Sequence, residues 1–349
     1  MKPITLNSRD AGFIMILMLV TLNMGCVNQN RKAQKTAATQ VGQPVLYKTA
    51  VEEHGRLRVS NGTLVNKVGE KVQLRGISLF WSQWYGEYYN KETIAWLKKD
   101  WNVNVVRAAM AIEHEGYLDH PEVEKSKVFA VIDAAIEEGI YVIVDWHDHH
   151  AEDHLDEAIT FFKEVAKRYG DHPHIIYEIY NEPLDVSWNE VLKPYHEAVL
   201  HEIRQFDSDN LVICGTRNWS QQVDEVINHQ IDDPNVAYTL HYYAASHKSG
   251  LRAIAQKALD HGVPIFVTEF GTTEATGDGF VDEVEARLWW DFLDQNNLSW
   301  CNWSLSNKNE SSALLKPETT SVIGGWQENE LTLSGNLVRA EIRSKNKGY

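Results

Sequence analysis

The sequence predicts an α/β protein built as a (β/α)8 TIM barrel, a single catalytic domain spanning residues 51–345. From Leu57 onward, short runs of strand composition alternate with runs of helical periodicity, the pattern of a parallel sheet with helices outside it. The expected strand ends fall at residues 79, 107, 147, 182, 216, 241, 269 and 303, in steps of 25 to 40 residues. Such even steps suit a closed barrel better than an open doubly wound sheet. No glycine-rich phosphate loop follows any of these strands, which also counts against a dinucleotide fold.

Residues 1–26 read as an export signal. Lys2 and Arg9 precede an uncharged, mostly apolar stretch from Ala11 to Leu22, too short for a stable membrane span. Gly25-Cys26 then resembles the lipidation site of a bacterial lipoprotein, so a lipid anchor on Cys26 and free secretion both stay open. Residues 27–50 are polar, rich in Gln, Asn, Lys and Thr and without periodicity, the composition of a disordered tether.

The barrel elements follow in order. Strands are expected at Val72 to Leu79, Val103 to Arg107, Tyr141 to His147, Ile175 to Glu182, Leu211 to Thr216, Val236 to His241, Ile265 to Glu269 and Leu298 to Trp303. Helices are expected at Lys91 to Asp100, Lys125 to Glu138, His154 to Tyr169, Trp188 to Phe206, Asp224 to Asn228, Leu251 to His261, Asp282 to Asn296 and Gly335 to Ser344. Gly139, Gly170 and Gly262 supply helix stops. Cys214 and Cys301 fall on strands that are not neighbours, so two buried free thiols are expected rather than a disulfide.

Two strands share one design. Ile175 to Tyr180 is β-branched and aromatic and leads into Asn181-Glu182-Pro183, where Pro183 ends any ladder. Pro264 to Thr268 leads into Glu269-Phe270-Gly271, with Gly271 read as permitting a sharp exit. Each delivers one carboxylate to a strand end, where barrels carry their chemistry. Arg107, His147, Asn181, His241, Tyr243 and Trp303 fall at the same rim. Two carboxylates across a barrel mouth suit glycoside hydrolysis with retention, in which one acid attacks the sugar and the other protonates the leaving oxygen. Arg107 and Tyr243 would hold Glu269 ionised, as a nucleophile requires, and Asn181 and His241 beside Glu182 fit the acid/base role. A plainer role exists for several of these: Arg107 as a buried ion pair, His147 and His241 as satisfied core histidines.

Metal ligation is the rival use. Trp146-His147-Asp148-His149-His150 offers three histidines, as metal-dependent amidohydrolase barrels do. His149 and His150 lie past the strand, where alternation no longer aims them inward, and no partner ligand is evident elsewhere. Neither metal nor cofactor is expected. The net charge of −16, from 33 basic and 49 acidic residues, argues against nucleic acid or an anionic membrane as partner. The 12 tryptophans and 14 tyrosines favour sugar-ring stacking. Trp81, Trp84, Tyr85, Trp188, Trp219 and Trp303 are placed along a cleft, and Trp96, Trp289 and Trp290 in helix packing.

These motifs, with Arg107-Ala108-Ala109-Met110, His241-Tyr242-Tyr243 and Trp300 to Leu305, together resemble the bacterial cellulases of glycoside hydrolase family 5, from about Leu57 to Ile342. The resemblance implies a retaining endo-β-1,4-glucanase with Glu182 as acid/base and Glu269 as nucleophile. Arg107, His147, Asn181, His241 and Tyr243 would form their supporting shell. It also implies that Trp303, Lys308 and Glu310 contact glucosyl units on the nucleophile side, with Trp84 as a stacking platform. Phe80 and Ala111 depart from that family's usual histidine and aromatic, which leaves subsite strength open. Mannan, mixed-linkage glucan or xyloglucan as substrate, and a carbohydrate-binding surface protein without catalysis, remain as alternatives. A monomer acting on a β-glucan or cello-oligosaccharide is the expectation.

Overall fold

In the computed structural model, which describes residues 48–346, eight parallel strands close into a barrel. They are β1 (Arg75–Leu79), β2 (Val105–Ala111), β3 (Tyr141–His147), β4 (Ile175–Glu178), β5 (Leu211–Cys214), β6 (Val236–Tyr243), β7 (Ile265–Gly271) and β8 (Trp300–Leu305), paired in chain order with β8 closing on β1. The export signal, Cys26 and nearly all of the tether lie outside the described residues. The last tether position does not: Ala50 is buried in a short helix, Ala50–His54, whose capping box is closed by Thr49 and Glu52.

Alternation sorts the strand residues into two sets. Val106, Ala108, Val142, Val144, Tyr177, Val212, Tyr238 and Val267 face outward into one continuous core beneath the helices. Val105, Tyr141, Ile143, Ile176, Leu211, Ile213, Ala237, Phe266 and Cys301 face inward and fill the lower barrel, closed from below by Ala50, Val51, Leu57, Val72 and Leu74. The outer helices include Pro121–Glu138, Leu155–Tyr169, Lys193–Arg204, Ser249–Asp260, Glu283–Gln295 and Leu333–Lys345. Cys214 and Cys301 are buried and unpaired on non-adjacent strands, as expected.

Three expectations are corrected. β4 ends at Glu178, so Glu182 lies four residues past the last paired strand residue. There the backbone instead follows the β3 exit, with Asn181 N–H on Trp146 O at 3.1 Å and Glu182 N–H on Asp148 O at 3.2 Å. The helix expected from Trp188 opens with a wider turn over Trp188–Leu192 before regular α-helix starts at Lys193, because Pro194 has no N–H to give to a regular turn there. Gly271 is not a sharp exit either. It is still paired in β7, and a Cβ there would sit 2.3 Å from the Tyr243 ring. Its lack of a side chain makes room for that ring.

Candidate active site

The inward-facing positions change character one layer above the apolar plug. Two residues beyond Val105 comes Arg107; two beyond Ile143 comes Asp145, then His147; two beyond Ile176 comes Glu178; beyond Ala237 come Thr239 and His241; beyond Phe266 comes Thr268. All are buried.

β7 breaks the alternation. Thr239 pairs with Phe266 and His241 with Glu269, two residues on β6 against three on β7. The β7–β8 register repeats the slip between Trp300 and Asn302. The extra residue is a bulge, and it turns both Thr268 and Glu269 into the barrel.

Arg107 is the hub. Its guanidinium reaches Glu178 Oε2 (2.7 Å), Glu269 Oε2 (3.0 Å), Asp145 Oδ2 (2.9 Å) and Asn181 Oδ1 (2.7 Å). Three buried acids share one guanidinium, so their titrations must separate. Burial raises Asp145 well above the usual carboxylate range, with Arg107 opposing it. Against burial, Arg107 and His241 hold Glu178 below its ordinary value. Burial raises Glu269, and His241, Arg107 and the Tyr243 hydroxyl pull it back. That hydroxyl, kept protonated by burial, donates to Glu269 Oε1 at 2.8 Å.

Glu182 is held differently. Its Oε1 lies 2.8 Å from His241 Nδ1, and His241 Nε2 lies 2.9 Å from Thr268 Oγ1. The Thr268 hydroxyl spends its hydrogen on Glu178 Oε1 (2.6 Å), so it accepts from His241 Nε2–H. His241 Nδ1 and Glu182 Oε1 therefore share a proton site. Burial opposes charge on the ring, but the Glu178 carboxylate 3.7 Å from Nε2 and the hydrogen bond to Glu182 push His241 up to about 9. His147 stays neutral through burial, its Nδ1–H on Asp145 Oδ2 at 2.7 Å and its ring stacked 5.1 Å from Trp303. A carboxylate oxygen of Glu182 and one of Glu269 lie within 4.8 Å of each other.

Two lobes of one cleft meet at this pair. The nucleophile-side lobe, about 300 Å³, is lined by Phe80, Trp81, Trp84, His147, His149, Trp303, Lys308 and Glu310 together with Glu269. Trp84 is 52% exposed there, and the Lys308 ammonium, ion-paired to Glu310, sits 5.0 Å over the Phe80 ring. The other lobe, about 410 Å³, runs past Glu182 and His241 to Asn218, Trp219, Gln221 and His247. Trp219 is 46% exposed because Asn218, Trp219 and Ser220 are all left-handed (φ 59°, 55° and 55°). The turn is tied back by Trp219 N–H on Pro183 O (2.8 Å) and Ser220 Oγ on Asn181 O (2.8 Å). Three non-glycine residues in that region store strain beside Glu182.

Of the residues expected from the sequence, Glu182, Glu269, Arg107, His147, Asn181, His241, Tyr243, Trp84, Trp219, Trp303, Lys308 and Glu310 converge here. Two do not. Trp188 is buried against His196 and Tyr238 with its Nε1–H on His229 O (3.0 Å), and Tyr85 packs edge-on behind Phe80. Ala111 is buried, and Phe80 forms an apolar floor between Trp84 and Trp303. Glu178, Asp145 and Thr268 are further members of the site, and their spacing of two from Ile176, His147 and Phe266 marks the inward face. His149, which lies past the strand and is expected to escape the inward alternation, lines the cleft. Nothing in the sequence flags Asn218, Gln221 or His247.

The histidine cluster does not gather on one ion. His147 faces Asp145, His149 faces Glu182, and His150 lies 3.6 Å from Glu113. Glu113, Asp148 and His150 approach within 4.8 Å, but the Asp148 oxygens already accept from His150 N–H, His154 Nδ1 and Trp146 Nε1.

A family model described as cellulase (glycosyl hydrolase family 5) matches residues 65–309. The chain is 49% identical over 280 residues to endoglucanase A of Evansella cellulosilytica, covering 79% of this chain and 57% of that protein. It is 47% identical over 286 residues to endoglucanase Z of Dickeya dadantii, covering 80% of this chain and 65% of the relative. The chain thus spans less than two thirds of either relative. Among solved structures, a protein from Cytophaga hutchinsonii is 50% identical with a TM-score of 0.85, over 86% of this chain and 98% of the other. The catalytic domain of Thermobifida fusca endoglucanase Cel5A is 35% identical with a TM-score of 0.82, over 85% of this chain and all of the other. That domain has also been solved in complex with cellotetraose.

Proposed function

The chain belongs to glycosyl hydrolase family 5, and from that premise we propose that it is a retaining endo-β-1,4-glucanase cleaving internal bonds of cellulose or a soluble β-glucan. The observation that carries the mechanism is the approach of Glu182 and Glu269 to within 4.8 Å. Retaining enzymes hold their two carboxyls about 5–5.5 Å apart and inverting ones about 6.5–9.5 Å, leaving room for a water.

Glu269 attacks the anomeric carbon while Glu182 gives its proton to the departing glycosidic oxygen. A glycosyl ester on Glu269 results. Glu182, now a carboxylate, takes a proton from water as that water attacks the same carbon and frees Glu269. Tyr243 O–H and Arg107 aim the Glu269 oxygens, and Asn181 is fixed through Oδ1 on Arg107. Its Nδ2 is buried without a protein partner, a donor suited to a sugar hydroxyl next to the reacting carbon. Exposed indoles in both lobes, Trp84 and Trp219, support binding along a chain that continues past the cut on either side.

The test is a pair of variants on two substrates. Glu182→Gln should keep most of its kcat/KM on a dinitrophenyl β-cellobioside, whose leaving group needs no proton, and lose roughly 10²–10⁴-fold on cellotetraose. Glu269→Gln should be inactive on both. Equal loss of both substrates in Glu182→Gln would contradict the assignment. A panel of soluble polysaccharides scored for new reducing ends tests the substrate, with mannan preferred over carboxymethylcellulose as the adverse result.

We also propose export, resting on the charged and apolar N-terminal pattern, and a monomeric enzyme. Labelled palmitate on Cys26, or processing blocked by globomycin, would separate a lipid-anchored form from a secreted one.

A further inference from the structure

His149 stands outside the β3 ladder and has no part in the mechanism above, yet it touches Glu182 twice. Its Nδ1 lies 3.2 Å from the Glu182 carbonyl oxygen. A carbonyl oxygen only accepts, so the hydrogen sits on Nδ1 and the ring is the donor. The preceding residue completes the grip, since Asp148 O accepts the Glu182 N–H at 3.2 Å. Both backbone groups of Glu182 are therefore held by the dipeptide Asp148-His149, where β4 no longer supplies a ladder.

The same Nδ1 lies 3.7 Å from Glu182 Oε2. Oε1 is taken by His241, so Oε2 is the oxygen left to carry a proton toward a leaving group. The ring is seated 5.9 Å from Trp81, and its own carbonyl accepts from Tyr180 O–H at 2.9 Å. The ionisable groups around the Glu182 carboxyl are thus His149 from the β3 exit, His241 and Tyr243 from β6, His247 beyond it and Glu269 from β7.

We propose that His149 is a positioning residue for proton donation, fixing the backbone of Glu182 through the Nδ1–H donor and with it the place of the Glu182 carboxyl. The inference rests on Glu182 being the acid/base. The donor is required and the rest of the ring is not, so a side chain with an N–H at the same distance from the backbone should substitute. Asn places Nδ2 where His places Nδ1.

The experiment compares His149→Ala, His149→Asn and Glu182→Gln in the full chain by kcat/KM on cellotetraose and on a dinitrophenyl β-cellobioside. His149→Ala should lose about tenfold more on cellotetraose than on the activated substrate, the size of one hydrogen bond. His149→Asn should recover most of the loss. Loss of the same size on both substrates in His149→Ala, or no recovery in His149→Asn, overturns the proposal and leaves His149 as loop packing. If His149→Ala does not fold, His149→Asn decides alone: near-wild-type ratios between the substrates support the proposal, and a selective loss on cellotetraose overturns it. Glu182→Gln separates the two levels. Equal loss on both substrates there means the acid/base assignment itself is at fault.

Discussion

Within one barrel, the lower and upper interiors are built from the same strands at positions two residues apart, and they behave as opposites. The lower layer is Val105, Ile143, Ile176, Ile213, Ala237 and Phe266, an apolar plug. The upper layer is Arg107, Asp145, Glu178, Thr239, His241 and Thr268, with no large aliphatic side chain among them. In the plug, stability comes from burial of matched shapes, and each residue is replaceable by another of like volume. In the upper layer, burial works against the charges and only mutual pairing holds them, so removing one partner strands the others. The plug can close the barrel without chemistry.

Substitutions can break this comparison in descending order of effect. Arg107→Met should be the most severe. It strips Asp145, Glu178 and Glu269 of the guanidinium they share, lowering stability by about 3–5 kcal/mol in chemical unfolding and abolishing hydrolysis. Ile213→Ala in the plug should cost about 2–5 kcal/mol of stability yet leave kcat near wild type where the protein is folded. Comparable loss of kcat in the two variants would erase the distinction between the layers. Gly271→Ala should cost about 1–3 kcal/mol and reduce kcat/KM, because its methyl displaces the Tyr243 ring and with it the hydroxyl on Glu269.

Two pH experiments sharpen the same contrast. Burial raises Glu269, so the acid limb of kcat/KM should lie above the ordinary glutamate value of 4.5. Tyr243→Phe should move that limb further up, since the lost hydrogen bond favoured the carboxylate. His241 is raised from 6.5 to about 9 by Glu178 and Glu182. A raised folded-state value means protonation stabilises the fold: the contribution is complete below 6.5 and disappears as pH rises through about 9. The Tm advantage of wild type over His241→Asn should therefore shrink across that interval. An advantage that grows toward pH 9 would show that the ring is neutral in the fold.

The sequence by itself determined the barrel, its strand order and the pair of acids, because period-two alternation and evenly spaced helix stops are local properties. Alternation also marks the inward face on which Arg107 and Glu178 sit, although Arg107 is legible already from its place at a strand end. What alternation cannot carry is a break in its own rhythm. The bulge in β7 that turns both Thr268 and Glu269 inward depends on how β6 and β8 pair with it. The exit of β4 that brings Glu182 to His149 depends on the β3 backbone. Trp188 and Trp219 both follow strand ends, and only packing on Tyr238 buries the first, while a left-handed turn tied to Pro183 exposes the second. In each case the deciding partner lies on another strand or loop, so the outcome exists only once the chain has closed on itself.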